Sequence, residues 1–193
     1  MVTVGKSRRA PAGPPPYAVR RSDVHGQGAF AARNIARGEV VDEYLGDRIT
    51  HDEANERYKT RDYEDNHTFL YTLDEDFVID GNVGGNDVRF INHQCDPNCA
   101  PRIRRGRLFI VALRDIQEGE ELGFAYHIGR EDDDPENVDE IYACRCGSPK
   151  CRGTMLWPAK RPVPKKRKKK KTAVAKSAKS KSKSKSKTKR KKK

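Results

Sequence analysis

Cysteines and a histidine are the residues of this 193-residue chain whose spacing best suits chemistry. CRCGSPKC, residues 144–151, has the pattern C-x-C-x4-C, and RFINHQCDPNC, residues 89–99, adds His93, Cys95 and Cys99. Three thiols around a Gly-Pro turn suit one tetrahedral zinc ion, and a structural zinc site needs a fourth ligand. Cys95 and Cys99 are the remaining cysteines. The pattern therefore predicts a structural zinc site that ties residues 144–151 back to the RFINHQCDPNC segment.

His93 has two other interpretations on these residues alone. It could be the base of a Cys-His nucleophile pair, which would need a third residue to orient it. It could equally be a core histidine whose ring is satisfied by backbone groups. A disulfide framework is disfavoured, because the cysteines number five and the N-terminal MVTVGKSRRAPAGPPPY lacks the apolar stretch of a secretory signal.

The charge of the chain is divided between two parts. The net charge is +13, but residues 160–193 hold 20 lysines and arginines and no acid, which leaves 21 basic against 28 acidic residues before them. An acidic body with a net charge of −7 thus precedes a strongly basic tail. No apolar run approaches the 18 residues of a membrane span, so we expect no membrane partner.

The tail, KRPVPKKRKKKKTAVAKSAKSKSKSKSKTKRKKK, is too polar and too highly charged to fold by itself, and we expect it to be disordered. Its cations predict non-specific binding to nucleic acid by counterion release. Two alternatives stay open, a solubilising tail and a nuclear-import signal of the PKKRKKKK type. The mixture of Lys with Ala, Pro and Ser resembles linker-histone tails in composition.

The body is expected to be mostly β. Short β-branched and aromatic runs alternate with turn signals from Tyr17 to Tyr126, and HDEANERYKTR, residues 51–61, is the best helix candidate, with Thr50 as its N-cap. Gly26-x-Gly28 lies in a predicted turn, where two glycines permit either a tight hairpin or the close approach of a ligand. Tyr44 and Tyr126 stand at segment ends, which is common for amphipathic boundary residues.

Taken together and in order, the motifs resemble those of the SET-domain protein lysine methyltransferases with a post-SET zinc motif. The series is HGQGAF, EYLGDRIT, VIDG, GGNDVRFINHQCDPNC, GEELGFAY and CRCGSPKCRG, and it extends over about residues 17–157. The resemblance implies several small β-sheets, with the RFINH segment threaded beside the C-terminal strand as a pseudoknot. The expected division is a flexible N-terminus (1–16), SET domain (17–130), acidic linker (131–143), post-SET zinc segment (144–157) and disordered tail (158–193).

The resemblance also implies residue roles. S-adenosylmethionine would be held by Gly26, Gln27, Gly28, Phe69, Asn92 and His93, and zinc by Cys95, Cys144, Cys146 and Cys151. Cys99 would then be packed in the core. Tyr126 and Tyr44 would be the catalytic residues, and Phe124, Tyr44 and Trp157 would line the channel of the substrate lysine, with Met155 and Leu156 beside Trp157 as its lid.

Three residues depart from the family pattern. Gln94 stands where Ser is usual, and Gly123 and Ala125 replace the usual Thr and Asp before the closing tyrosine. We expect Gly123 to loosen the strand that supports Tyr126 and so to lower the rate. With no long cysteine-rich segment before the domain, substrate choice would rest on the N-terminus, the insert at 51–67 and the tail.

Two classes of function follow. The first is an S-adenosylmethionine-dependent lysine methyltransferase that acts on histones or histone-like basic proteins, and on its own tail; Phe124 favours di- or trimethylation. The second is a catalytically weak chromatin- or DNA-binding protein that acts through the tail. Either would associate with chromatin, in a eukaryotic nucleus, a bacterial nucleoid or cytoplasm, or a host nucleus after secretion.

Overall fold

The structure, a computed structural model, describes residues 13–60, 68–130 and 134–158. Most of the predicted N-terminal segment (1–16), the end of the insert at 51–67, and almost all of the predicted tail (158–193) lie outside these ranges. The strands are β1 (Tyr17–Arg21), β2 (Gln27–Ala31), β3 (Val40–Glu43), β4 (Asp47–Thr50), β5 (Leu70–Thr72), β6 (Phe77–Asp80), β7 (Asn92–His93), β8 (Cys99–Arg104), β9 (Arg107–Ala112) and β10 (Gly123–Phe124). The helices are α1 (His51–Tyr58), α2 (Val138–Ile141) and a 3-10 helix (Asp87–Phe90).

The strands form four small sheets among the described residues. β1 pairs with β2, β9 lies between β3 and β8, and β6 lies between β4 and β5, all antiparallel. The fourth sheet is the parallel pair of β7 and β10, which lays the RFINH segment along the C-terminal strand. The predicted class, a mostly β fold of several small sheets with a C-terminal pseudoknot, is confirmed.

Helix α1 begins as its sequence predicts. The Thr50 side chain accepts a hydrogen bond from the Glu53 backbone N–H, and the Glu53 carboxylate accepts one from the Thr50 N–H, which is a capping box. The helix ends at Tyr58, three residues earlier than predicted. Only Ala54 is buried, so polar contacts attach the helix: Arg57 and Tyr58 both hydrogen-bond to the fully buried Asp80 carboxylate of β6.

The core lies where the sheets meet and consists mainly of aliphatic side chains. The fully buried large residues include Ile35, Val41, Val88, Ile91, Leu108, Ile110, Ile116 and Leu122. Cys99 is also fully buried and packs in this core, as expected. No helix in the described ranges combines the length and apolar character that crossing a bilayer requires.

The last described segment folds back over the earlier chain through backbone hydrogen bonds. The predicted acidic linker, residues 131–143, contains the short helix α2, which was not expected from its sequence. The Trp157 N–H donates to the Ile128 carbonyl at 2.7 Å, and the Met155 N–H donates to the Tyr142 carbonyl at 2.9 Å. The cysteine-rich segment is therefore held beside the end of β10.

Candidate active site and thiol cluster

One cavity of about 910 Å³ collects most of the predicted site residues. Its walls come from the turn before β2, the strand β5, the RFINH segment, the residues after β10, and residues 140–145. Of the predicted set, the lining residues are Gly26, Gln27, Tyr44, Phe69, Asn92, His93, Phe124, Tyr126, Cys144 and Met155. Gly28, Leu156 and Trp157 are not among its lining residues.

The G-x-G turn brings bare backbone to the cavity wall. Gly26 has a φ of +47°, a conformation that glycine adopts without strain. Gly28 lies behind the wall, where a Cβ atom would be 2.4 Å from Oε1 of Glu121 and 2.9 Å from Cβ of Ser22. Gly28 therefore lets Glu121 approach the G-x-G turn closely.

Asn92 holds the same turn from the other side. Its Nδ2 donates to the Gln27 carbonyl at 3.0 Å and to Glu121 Oε1 at 2.9 Å, with a longer contact of 3.4 Å to the His25 carbonyl. Its Oδ1 accepts no hydrogen bond from the described residues, and Asn92 lines the cavity. The Asn92 carboxamide thus organises the turn and keeps one acceptor available to a ligand.

His93 links the end of β10 to the thiols. Its Nδ1 accepts from the backbone N–H of Tyr126 at 3.1 Å, so the ring proton is on Nε2, 3.4 Å from Sγ of Cys95. Burial, assisted by the nearby Arg152 and His127, lowers the pKa of His93 to about 4. The ring is neutral at pH 7, with an acceptor for Tyr126 and a donor for Cys95.

Tyr126 is fixed at three points. Its hydroxyl donates to the Ile91 carbonyl at 2.9 Å, its backbone N–H bonds to His93, and its ring lies 5.0 Å from that of Phe124. Burial, and secondarily the charge of Glu121, raises the pKa of Tyr126 far above its usual value. The phenol is therefore neutral at physiological pH, which suits positioning and electrostatic stabilisation rather than service as a base.

Aromatic rings line the cavity beside Tyr126. The Tyr44 hydroxyl donates to the Phe69 carbonyl at 2.8 Å, and burial raises the pKa of Tyr44 well above its usual value. Tyr71 bridges the two groups of rings, with centroids 6.2 Å from Tyr44 and 6.4 Å from Phe124. A long apolar stem that ends in an amine would fit between such walls.

The four predicted zinc ligands come together. The Sγ atoms of Cys95, Cys144, Cys146 and Cys151 all lie within 4.8 Å of one another, with Cys95 and Cys144 3.7 Å apart. A tetrahedral zinc ion with bonds of about 2.3 Å would separate its sulfurs by about 3.8 Å. Burial opposes ionisation of Cys146, but backbone hydrogen bonds from Cys95 and Ser148 outweigh it and lower the pKa of Cys146 to about 7. The donor set fits zinc.

Trp157 differs from its predicted place in the substrate channel. Its backbone N–H bonds to Ile128, its ring centroid lies 4.2 Å from that of His127, and its exposed fraction is 48%. Leu156 is buried, and Met155 is the member of the predicted lid that lines the cavity.

Three residues that belong to the site were not predicted from the sequence. Tyr71 lies in β5 two positions after Phe69, which directly precedes the strand, and alternation of side chains along the strand could have predicted that both face the cavity. Arg89, in the RFINH segment, lines the cavity, and its Nε is buried without a hydrogen-bond partner. Glu121 gave no signal, because its contacts with Ser22 and Asn92 depend wholly on the fold.

Two of the departures from the family pattern are neighbours in space. A Cβ atom on Gly123 would lie 2.3 Å from Cγ and Cδ of Gln94, so the Gln94 side chain occupies the volume of a side chain at position 123. Gly123 has no positive φ, so space rather than backbone conformation requires glycine there. β10 is therefore packed by Gln94 rather than loosened, which argues against the expected weakening of Tyr126's support.

This packing predicts a coupled pair of substitutions. Gly123→Thr alone should lower the free energy of unfolding by about 2 kcal/mol through overpacking. Gln94→Ser with Gly123→Thr should recover at least about half of that loss, because the smaller side chain vacates the volume. Urea unfolding of the two single variants and the double variant measures the coupling. A double variant no more stable than Gly123→Thr would contradict it.

The parallel β7–β10 pair, the G-x-G turn and the closing tyrosine together define the fold and pocket of a SET domain. Residues 26–127 match the profile of the SET domain, and the chain belongs to this family. It is 41% identical over 147 residues to "Histone-lysine N-methyltransferase, H3 lysine-4 specific" of Saccharomyces cerevisiae, which covers 72% of this chain and 13% of that protein.

Other similarities agree. The chain is 36% identical over 139 residues to "Histone-lysine N-methyltransferase trr" of Drosophila melanogaster, covering 70% of this chain and 6% of that protein. A chain of the Chaetomium thermophilum polycomb repressive complex 2 superposes with a TM-score of 0.53 at 36% identity, covering 62% of this chain and 16% of that one. The chain thus spans a small part of the length of the relatives it matches.

Proposed function

We propose that this protein is an S-adenosylmethionine-dependent protein-lysine N-methyltransferase that acts on histones or histone-like basic proteins. The observation that supports this proposal is the cavity. It is lined at once by the G-x-G turn, by Asn92 and by the aromatic side chains around Tyr126. Such a space can hold a nucleoside cofactor at one end and a lysine side chain at the other. The relatives named as histone-lysine methyltransferases support the same reaction class.

When bound, S-adenosylmethionine supplies a methyl group activated by its positive sulfonium. The bare backbone at Gly26, together with Gln27 and the free Oδ1 of Asn92, would bind the cofactor. Phe69 lies on the same cavity wall and offers an apolar ring.

The aromatic walls prepare the substrate amine. A free lysine has a pKa of about 10.4 and is protonated at neutral pH. Tyr44, Tyr71 and Phe124 exclude water from an ammonium group between them, and desolvation lowers its pKa. The amine then loses its proton to solvent, and Tyr126, held by Ile91, fixes its position. Orientation of this kind contributes up to about 7–11 kcal/mol in the best intramolecular cases.

Phe124 bears on the degree of methylation. It is 5% exposed and offers no hydroxyl to the cavity, so the space beside the amine is bounded by an apolar edge. An amine that already carries a methyl group still fits such a space. We therefore propose di- or trimethylation rather than monomethylation as the end product.

Methyl transfer from radiolabelled S-adenosylmethionine tests the proposal. The full chain is incubated with and without core histones, and mass spectrometry counts the methyl groups on each labelled lysine. We expect label on histone, and on the chain's own tail, whose lysines are tethered at high effective concentration. Absence of both label and cofactor binding would instead favour the chromatin-binding alternative. Cofactor binding without label would point to a different protein substrate.

We further propose that the thiol cluster holds zinc and that residues 160–193 bind nucleic acid without sequence preference. The negative body would attract lysine-rich substrates while the tail retains the enzyme at chromatin. The working site would then be the nucleus of a eukaryote, or chromatin reached by another route.

Deletion of residues 160–193 should remove most of the salt-sensitive DNA binding. The tail carries 20 cations, and each phosphate contact contributes about −0.9 to the slope of log K against log[salt]. Fluorescence anisotropy with a short DNA duplex, measured between low and physiological salt, gives this slope for the full chain and for the chain without residues 160–193. An unchanged slope after deletion would refute the role of the tail.

A further inference from the structure

Glu121 is a carboxylate beside the cofactor turn to which the proposed mechanism assigns no part. We infer that Glu121 supplies the negative charge by which this site favours a cationic ligand, S-adenosylmethionine, over the neutral product S-adenosylhomocysteine. Glu121 is thus a specificity-determining and positioning residue rather than a catalytic one. The inference rests on the proposed function, because it presumes that this cofactor binds in the cavity.

The first support is the position of the carboxylate. Oε1 of Glu121 accepts from Ser22 Oγ at 2.7 Å and from Asn92 Nδ2 at 2.9 Å. Ser22 is itself tied to the turn, since its N–H donates to the Gly26 carbonyl and its Oγ accepts from the Val24 N–H. Glycine at position 28 makes the approach possible. Glu121 therefore lies immediately behind the wall that would bind the cofactor.

The second support is that the charge of Glu121 is unbalanced. The partly buried Glu121 forms no ion pair with any residue in the described ranges, whereas its neighbour Glu120 is paired with Arg114 at 2.8 Å. Its partners Ser22 and Asn92 are neutral donors. A partly buried charge without a counter-ion is costly, and a cation that enters the adjacent cavity offsets that cost.

The third support is that the charge of Glu121 affects a group that lines the cavity. The pKa of Tyr126 is raised first by burial and then by the Glu121 charge, so the field of Glu121 extends to a phenol that lines the cavity. The proposed reaction places the sulfonium near this phenol. A ligand that carries one more positive charge there is attracted, and a neutral thioether is not.

The ligand pair provides a sharp test. S-adenosylmethionine and S-adenosylhomocysteine differ by one methyl group and one positive charge, so a merely structural residue affects both affinities alike. A third probe is the analogue in which an amine-bearing carbon replaces the sulfonium and restores the positive charge. It should behave as S-adenosylmethionine does.

Isothermal titration calorimetry of the full chain measures the Kd of each ligand. Glu121→Gln removes the charge and retains Oε1, the atom that accepts both hydrogen bonds, and it should weaken the two cationic ligands by about three- to tenfold, the size expected for one charge at a partly buried site. The Kd of S-adenosylhomocysteine should stay within about twofold. Glu120→Gln, the matched control whose carboxylate pairs with Arg114, should change none of the three values.

Equal weakening of all ligands, or none, would overturn the inference while leaving the proposed function intact. A wild-type chain that binds none of the ligands would overturn both. Glu121→Asp keeps the charge but disturbs the hydrogen bonds, and it decides the matter if Glu121→Gln does not fold. If Glu121→Asp preserves the ratio of the Kd values of S-adenosylmethionine and S-adenosylhomocysteine, the inference is supported. If it loses the preference for S-adenosylmethionine, the inference is contradicted.

Discussion

Tyr126→Phe should lower kcat for methyl transfer by about 100- to 1,000-fold, the effect of removing one preorganised polar group from an active site. The missing hydroxyl is the one that donates to the Ile91 carbonyl at 2.9 Å. Without it Tyr126 loses one of its three attachments, and the oxygen that the proposed mechanism places near the amine is absent. The Kd of the cofactor should change little, because the G-x-G turn and Asn92 remain in place.

Tyr17→Phe is the matched control for this substitution. Tyr17 is also a buried phenol, with a hydroxyl that donates to Asp42 at 2.8 Å, but it lies outside the cavity. Its loss should lower the free energy of unfolding by about 1 kcal/mol and leave kcat within a few-fold of wild type. Equal kcat values for the two variants would show that the Tyr126 hydroxyl has no part in the reaction.

Removal of metal from the thiol cluster should abolish activity. It should also detach the segment that contains Met155 and Trp157 from the rest of the domain. The purified chain should contain about one zinc ion, and chelation should expose the amides of Met155 and Trp157 to hydrogen exchange. Those amides are bonded to Tyr142 and Ile128, beside the cavity. Met155 lines the cavity, so loss of the segment opens the site to water.

Substitutions distinguish this effect from general unfolding. Cys95→Ser should lower the zinc content and expose the segment while the amides of the β8–β9 hairpin remain protected. Cys99→Ala, which alters a buried cysteine outside the cluster, should keep one zinc per chain. Zinc well below one per chain in carefully prepared wild-type protein would contradict the four-cysteine site.

The parts of the site that the sequence predicts well are those encoded by residue type at short spacing. C-x-C-x4-C indicates a metal site by its spacing alone, while G-x-G and the closing tyrosine are recognised from the order of the motifs along the chain, and the structure brings them to one cavity and one thiol cluster. The capping box of α1 is local in the same way. Such features need no knowledge of the tertiary contacts.

The rest depends on contacts between distant residues. Gln94 and Gly123 read as two separate weaknesses in the sequence, but their side-chain volumes compensate in the fold. Trp157 was assigned to the channel by its position in the motif, whereas its ring packs against that of His127. Glu121 acquires its partners through a contact across 99 residues of chain.

The long separations within the site have a consequence for folding. Ser22 and Glu121 are 99 residues apart, Gln27 and Asn92 are 65 apart, and Cys95 and Cys144 are 49 apart. Contacts between residues so far apart in the sequence form slowly, after the local hairpins and helices have formed. A partly folded chain can possess these hairpins and still contain no piece of the pocket. Turnover would then report on the completely folded population, and far-ultraviolet circular dichroism during refolding should recover before activity does.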